Sequence, residues 1–125
     1  MDNWKNDNLA KTLRFEPVES EFGRSKARGR ADEDFLNGVR IGHGGFLFSL
    51  ADYASALATN VGGRTAVSSW AGVNFMAPCP EGEVVSAEAK LSAFDGKTAL
   101  CDVSVSSEKS GQVFAIFQSR IIFKK

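Results

Sequence analysis

The sequence predicts an α+β fold in which an antiparallel sheet of about five to six strands wraps around one long central helix. Residues 44–60 form the only stretch with convincing helical periodicity, and strand-like stretches lie on both sides of it. The strands after the helix are joined by short turns, which favour antiparallel neighbours. Since 125 residues can build one core but not two, we expect a single domain over residues 1–125.

The chain before the helix contains a polar segment and an extended one. Residues 1–12 are polar and predict either a short helix or a mobile lead-in. Residues 15–31 are predicted to be extended, with a break at Phe22-Gly23. In their second half, cations alternate with small residues, so a strand places all four on one face. These cations are Arg24, Lys26, Arg28 and Arg30. We expect this face to be solvated, and contact with a phosphorylated ligand is the alternative.

The central helix is predicted from Gly44 to about Asn60, because Asn60 and the glycines at 62 and 63 supply a stop signal. Its broad apolar side contains Leu47, Leu50, Ala51, Ala54, Leu57, Ala58 and Val61. The other side carries Ser49, Asp52, Ser55, Ala56 and Thr59. Both sides are rich in small residues, so we expect a sheet or a second subunit to enclose the helix closely.

Four strands are predicted after the helix, over residues 66–76, 83–94, 98–107 and 112–123. Asp95-Gly96 between the second and third of these strands is typical of a tight hairpin. The two middle strands alternate apolar and polar residues, which predicts one buried face. The last strand is apolar at successive positions, which predicts burial on both of its faces.

Composition excludes several classes of function. Fifteen basic and fifteen acidic residues cancel, so we expect neither a nucleic-acid partner nor a membrane surface. No apolar run approaches the ~20 residues of a membrane span, and the first residues lack a signal-peptide core, which predicts a cytoplasmic protein. Cys79 and Cys101 have neither CxxC spacing nor accompanying histidines, so we expect two buried thiols, with a disulfide as the alternative. No metal or cofactor is predicted.

The first candidate for chemistry is the start of the central helix. His43, the only histidine in the sequence, stands directly before the two glycines that open the helix. Free N–H groups at a helix start, together with the helix dipole, favour partial negative charge on an approaching oxygen. The amide of Gly44 is therefore a candidate oxyanion donor. A purely structural helix cap is the alternative for His43.

The second candidate is Asp52, which falls mid-helix with no cation near it in sequence. Burying an unpaired carboxylate costs free energy, so an aspartate at this position needs an explanation. Asp52 either faces solvent, or bonds Ser49 or a tyrosine, or acts with a raised pKa as base or nucleophile toward an ester. It lies nine residues from His43, which is ~13 Å along a helix axis. One subunit cannot bring both groups to the same carbonyl, so the site is expected to be shared between two subunits.

These residues belong to a longer pattern, N-G-x4-H-G-G-x-L-x-S-L-A-D, which spans Asn37 to Asp52. The pattern resembles the signature of hotdog-fold acyl-CoA thioesterases of the phenylacetate-degradation type, the PaaI family of the 4-hydroxybenzoyl-CoA thioesterase superfamily. The resemblance continues through Val67-Ser68, residues 74–78 and the last three strands, from about Phe15 onward.

The resemblance implies a hotdog fold and hydrolysis of an acyl-CoA thioester to free acid and CoA. The implied acyl group is small and aromatic, such as (hydroxy)phenylacetyl. It also implies a homodimer in which two sheets run on as one, commonly paired again into a homotetramer, with acyl-CoA bound along the subunit interface.

Roles follow from the resemblance position by position. Gly44 would polarise the thioester carbonyl, and Asp52 of the facing subunit would attack that carbonyl or deprotonate the attacking water. The other matched positions are the catalytic Asn37 and His43, and the substrate-binding Gly45 and Ser68.

The sequence departs from the family at the contact with the CoA phosphates. Members often carry an arginine before the proline where this chain has Ala77-Pro78. The cations that could replace it are Lys90, Lys97, Arg64 and the face from Arg24 to Arg30. The acyl pocket is equally open, because four aromatic residues either line it or belong to the core. They are Phe46, Phe48, Tyr53 and Trp70.

Two other functions stay open at this point. One is a hotdog-fold acyl-CoA hydratase or dehydratase, although such enzymes pair a histidine with an acidic residue in different motifs. The other is a non-catalytic module that binds acyl-CoA. Release of a free thiol separates hydrolysis from both.

Overall fold

The computed structural model describes residues 2–124, and these contain two α-helices and six β-strands. The helices are α1 (Asn8–Thr12) and α2 (Gly44–Thr59). The strands are β1 (Glu16–Glu21), β2 (Arg24–Arg30), β3 (Ala66–Phe75), β4 (Val84–Phe94), β5 (Thr98–Ser107) and β6 (Val113–Phe123). Short 3-10 turns occupy Asn3–Asn6 and Glu33–Phe35. The predicted helix and the four predicted strands after it are each found within one residue of their expected ends.

All six strands form one sheet in the order β1-β2-β4-β5-β6-β3, and every neighbouring pair is antiparallel. Strand β3 follows α2 in the chain, but it pairs with the last strand, β6, and so forms an edge of the sheet. The predicted sheet around a central helix is therefore confirmed.

Helix α2 packs into the concave face of the sheet through small side chains. Ala51, Ala54 and Ala58 on the helix are fully buried, as are Ala27 on β2 and Ala87 on β4. Small residues let the helix and sheet approach closely, so little space is left between them. The expected close enclosure of the helix is thus found within a single chain.

The alternating cations of β2 point away from the core, as the solvated-face interpretation predicts. The guanidinium of Arg28 lies 2.8 Å from carboxylate oxygens of both Glu16 and Glu108. Lys26 lies 3.9 Å from Glu108, and Arg30 lies 3.4 Å from Asp32. Most of this positive charge is therefore neutralised within the chain.

The prediction that the last strand is buried on both faces is wrong for the single chain. Phe117, Ser119 and Ile121 of β6 are buried against the helix, whereas the outward-facing Ile116 is 42% exposed. Apolar residues at successive positions arise because Ile116 and Ile122 lie on the outer face, which no part of the described chain covers.

Both cysteines are buried free thiols, as predicted. Burial raises the pKa of the Cys79 thiol to about 11. Within residues 2–124, no helix has the length and apolarity that a membrane crossing requires.

Asn60, directly after α2, ties the helix to the start of β3. Its Oδ1 accepts from the N–H of Ala66 at 2.9 Å, and its Nδ2 donates to the carbonyl of Ala66 at 3.1 Å. Replacing Asn60 with Ala removes both bonds and leaves the Ala66 groups unpaired, so we expect the free energy of unfolding to fall by about 1–3 kcal/mol. Urea unfolding at one fixed protein concentration measures this change. An unchanged unfolding free energy would show that water replaces both bonds.

Candidate active site

Asn37 organises the turn that leads into the helix. Its Oδ1 accepts from the N–H groups of Val39 at 3.0 Å and Ile41 at 3.2 Å, and its own N–H donates to the Ile41 carbonyl at 2.8 Å. The side-chain carbonyl is therefore occupied. The Nδ2 group makes no hydrogen bond among the residues described, so it is the part of Asn37 that can donate to a ligand.

His43 is the N-cap of α2, with an extended backbone at φ −62° and ψ 138°. Its ring Nδ1 accepts from the N–H of Gly45 at 2.8 Å. In the neutral ring this bond leaves the proton on Nε2, which becomes an available donor. The structural-cap interpretation of His43 is thus confirmed, and the ring is also exposed at the same helix start.

The amide of Gly44 is left as a free donor in this first turn. The N–H of His43 donates to Phe35, that of Gly45 to the His43 ring, and that of Phe46 to the His43 carbonyl. Gly44 has no such acceptor within residues 2–124. Its N–H belongs to the helix start, where the dipole favours an electron-rich oxygen.

Gly44 and Asn37 open onto the same cavity, of about 400 Å³. The aromatic ring of Phe75 closes over the helix start, and a Cβ at Gly44 would lie 3.1 Å from the Phe75 Cζ. The structure therefore brings together two of the predicted residues, an unpaired backbone N–H and an unpaired side-chain amide.

Asp52 lies on the side of α2 that the sheet leaves open. Its side chain reaches solvent but stands in a cleft, and this burial raises the pKa of its carboxyl. The negative charge of Asp7 raises that pKa further. No residue from 2 to 124 donates a hydrogen bond or an ion pair to Asp52, so the alternative of a bond to Ser49 or a tyrosine is wrong for the single chain.

Ser68, on β3, shares a cavity of about 250 Å³ with Asp52. The strand has a register shift between Ser68 and Trp70, directly after this position. Asp52 and Ser68 therefore form a second pair of predicted residues. An exposed hydroxyl and a free carboxylate in one cleft can together hold a water molecule.

The two pairs do not meet within one chain. Gly44 and Asp52 are eight residues apart on α2, which is about 12 Å along its axis. They open onto different cavities. His43 and Gly45 line a third cavity, beside α1. Within one chain, the free N–H of Gly44 therefore lies apart from the carboxylate of Asp52.

Helix α1 lines a further cavity beside Asp52, which the sequence did not reveal. This cavity has a volume of about 260 Å³. Its walls are Asp7, Leu9, Ala10, Phe15, Phe48, Ser49, Asp52 and Tyr53. The available signal was Leu9, an apolar residue in a polar segment, two positions after a typical N-cap aspartate.

The four aromatic candidates for an acyl pocket divide between core and cavity. Phe46 is buried and packs on Phe35 and Phe15 with ring centroids 5.6 and 5.7 Å away. Phe48 and Tyr53 line the cavity next to Asp52. Trp70 is 56% exposed on the edge strand β3.

A comparison with protein families matches residues 41–114 to the thioesterase superfamily. The chain belongs to this superfamily. This thioesterase is 31% identical over 117 residues to the Escherichia coli acyl-coenzyme A thioesterase PaaI, covering 94% of this chain and 83% of that protein. A relative from Archaeoglobus fulgidus, whose name describes it provisionally as an esterase, is 37% identical over 108 residues, with 85% and 70% covered.

The structure of this thioesterase superimposes on that of the E. coli PaaI protein from the phenylacetic acid degradation operon. The TM-score is 0.91 at 29% identity, and the match covers 98% of this chain and 88% of the other. The predictions of a hotdog fold and of a thioesterase enzyme are confirmed. The roles predicted for individual residues stay predictions.

The raised pKa of Asp52 predicts how stability depends on pH. A carboxyl whose pKa is higher in the folded chain favours folding when protonated, and this benefit is lost as pH rises from about 4, the unfolded value, through the folded pKa. Asp52→Asn stays neutral, so we expect it to be more stable than the wild type at pH 7 and equally stable below pH ~4.

Thermal unfolding of both proteins across this range measures the difference. The groups nearest Asp52 that titrate are Asp7, Tyr53 and Cys101, and all three are unchanged in the variant. Glu33→Gln, on an exposed turn, is the matched control for the loss of one charge. A variant less stable than wild type at pH 7 would contradict the raised pKa.

Proposed function

We propose that this thioesterase hydrolyses an acyl-CoA thioester with a small aromatic acyl group, such as (hydroxy)phenylacetyl-CoA, at a site shared by two subunits. The observation that carries the proposal is that two pairs of residues open onto different cavities. Gly44 and Asn37 form one pair, and Asp52 and Ser68 form the other. The similarity to PaaI supports the CoA thioester and the aromatic acyl group. We also propose a cytoplasmic location, as the sequence predicts.

The edge strand β3 offers a route to the shared site. Among residues 2–124 it has no strand partner on its outer side, yet it exposes Val67, Trp70 and Phe75. Long apolar edges of this kind favour pairing with another chain. Antiparallel pairing of β3 with the same strand of a second copy sets the start of one strand, with Ser68, against the end of the other, with Phe75.

That pairing joins complementary cavities. Ser68 lines the cavity of Asp52, whereas Phe75 lines the cavity of Gly44. A symmetric dimer therefore forms two complete sites, each with the oxyanion donor of one subunit and the carboxylate of its partner. A homotetramer forms when two such dimers pair again.

In the complete site, the N–H of Gly44 and the Nδ2 of Asn37 donate to the thioester carbonyl oxygen. Asp52 takes a proton from water, whose oxygen attacks the carbonyl carbon, or attacks that carbon itself. Ser68 holds the water or orients the carboxylate. The C–S bond then breaks and the thiolate of CoA takes up a proton. When water is the nucleophile, the free acid leaves directly. When Asp52 is the nucleophile, a mixed anhydride with Asp52 remains, and water hydrolyses it to release the acid and restore the carboxylate. The Nε2–H of His43 is a further hydrogen-bond donor at the edge of the complete site.

Replacing Asp52 with Asn keeps the shape of the side chain but removes its basicity. We expect kcat to fall by about 100- to 10,000-fold while the fold is retained. The assay follows free thiol released from phenylacetyl-, hydroxyphenylacetyl-, benzoyl-, short-chain and long-chain acyl-CoAs, with circular dichroism as the check on folding. We expect the wild type to turn over the arylacetyl thioesters fastest.

Undiminished turnover in Asp52→Asn would remove the carboxylate from the mechanism. If a crotonyl-type CoA thioester loses its double bond but releases no thiol, the enzyme is a hydratase instead. Binding of the thioesters with no reaction would indicate a non-catalytic module.

A second experiment tests the backbone donor. Proline at Gly44 removes the N–H, and both the first helical position and the extended conformation of His43 before it suit proline. We expect Gly44→Pro to lower kcat by about 100- to 1000-fold. Gly44→Ala is the matched control, because it crowds Phe75 in the same way but keeps the N–H. Equal losses in both variants would assign the effect to crowding.

The shared site is tested by mixing the two defects. When Gly44→Pro and Asp52→Asn chains are co-expressed, mixed dimers contain one site with both groups intact. Random pairing therefore restores about one site in four. Thiol release well above that of either parent is the expected result. No recovery in a verified mixed dimer would place both groups in the same subunit.

A further inference from the structure

The open side of α2 carries a groove that consists of two adjoining cavities. The cavity beside Asp52 and the cavity beside His43 share two wall residues, Leu9 and Ser49. Together they run along one stripe of α2, from Gly45 past Ser49 to Asp52. Their volumes are about 260 and 340 Å³. Leu9 of α1 stands at the junction.

Helix α1 is a fixed wall of this groove. Asp7 caps it by accepting from the N–H of Ala10 at 2.9 Å, and Phe15 donates to the Ala10 carbonyl at 2.9 Å. The preceding turn is tied to the loop after α2, since Asn3 donates to Thr65 at 2.9 Å and Asp2 accepts from Gly62 at 3.0 Å. Ala10 is buried, but Leu9 is 56% exposed beside unfilled space.

The chemistry of the cavity beside Asp52 suits a compact, neutral, apolar group. Leu9, Phe15 and Phe48 supply apolar walls, and the rings of Phe15 and Tyr53 lie 5.8 Å apart. In the described part of the chain, no cation lines the cavity, whereas Asp7 and Asp52 both do. The charge of Asp7 also acts on Asp52, since it contributes to the raised pKa of that carboxyl. An acyl group that carries its own carboxylate is therefore repelled.

We propose that this cavity binds the acyl group of the substrate and that α1 sets its specificity, Leu9 by limiting acyl length and Asp7 by rejecting anionic acyl groups. This inference rests on the proposed function, because the acyl group must start at Asp52. The groove beyond Leu9 is where a longer acyl chain would continue once that side chain is shortened.

The test compares kcat/KM for three CoA thioesters, phenylacetyl, 6-phenylhexanoyl and glutaryl. Leu9→Ala opens the junction, so we expect the ratio for 6-phenylhexanoyl over phenylacetyl to rise about tenfold. Asp7→Asn keeps the helix cap but removes the charge, so we expect the ratio for glutaryl over phenylacetyl to rise about tenfold. Lys11→Ala, exposed on the same helix, is the control and should leave both ratios unchanged.

A binding measurement separates this inference from the proposed function. Calorimetry with uncleavable 2-phenylethyl and 6-phenylhexyl thioethers of CoA gives the affinity ratio whether or not hydrolysis occurs. We expect Leu9→Ala to shift that ratio about tenfold toward the longer thioether. Unchanged ratios in both assays, or equal shifts in Lys11→Ala, would overturn the role of α1. Failure of hydrolysis with a shifted binding ratio would overturn only the proposed reaction.

Discussion

The enclosure of α2 by the sheet is the constraint on which the rest of the structure depends. Because the helix contacts β2 and β4 through buried alanines such as Ala54 and Ala87, the helix and the sheet pack closely. A helix held this closely cannot rotate without burying polar groups. Gly45, Ser49 and Asp52 lie on a stripe of the helix that the sheet leaves accessible. The packing of the core thereby decides which residues are available for chemistry.

The same enclosure explains the electrostatics of Asp52. Burial disfavours the charged form of the carboxyl, and the like charge of Asp7 raises its pKa further. Stability alone would favour a neutral residue at this position. A carboxylate that is neither paired nor hydrogen-bonded keeps its lone pairs free and its basicity high, which are the properties a base or nucleophile needs. Stability and reactivity are therefore opposed at this one residue.

Much of the fold could be predicted from the sequence because its signals are local. The run from Gly44 to Asn60 combines helical periodicity with glycines at both ends, and β4 and β5 alternate apolar and polar residues over most of their length on either side of Asp95-Gly96. The error at β6 has a different cause. Apolar residues at successive positions cannot distinguish burial inside one chain from exposure on an outer face such as that of Ile116. The placement of β3 next to β6 also depends on contacts between residues about fifty positions apart.

The candidate site was likewise predictable from local sequence only in part. The pattern from Asn37 to Asp52 is contiguous, so a resemblance to a family could identify it. The contribution of α1 could not be found in this way, because contacts distant in sequence, such as that of Asn3 with Thr65, 62 residues apart, hold the segment that brings Asp7 and Leu9 to the cavity beside Asp52. Local patterns identified the chemical groups, and long-range packing determined their surroundings.

The proposed division of the active site between two copies would link assembly to reactivity. Within residues 2–124 of one chain, the free N–H of Gly44 and the carboxylate of Asp52 open onto different cavities. Under this proposal a single chain is poorly equipped to cleave a thioester, however well it binds one. In the proposed dimer, pairing along β3 would remove apolar edge residues such as Val67 from water and, in the same step, complete two sites. The free energy that drives association would thus also assemble the proposed catalytic groups, so neither subunit would need strained geometry to bring them together.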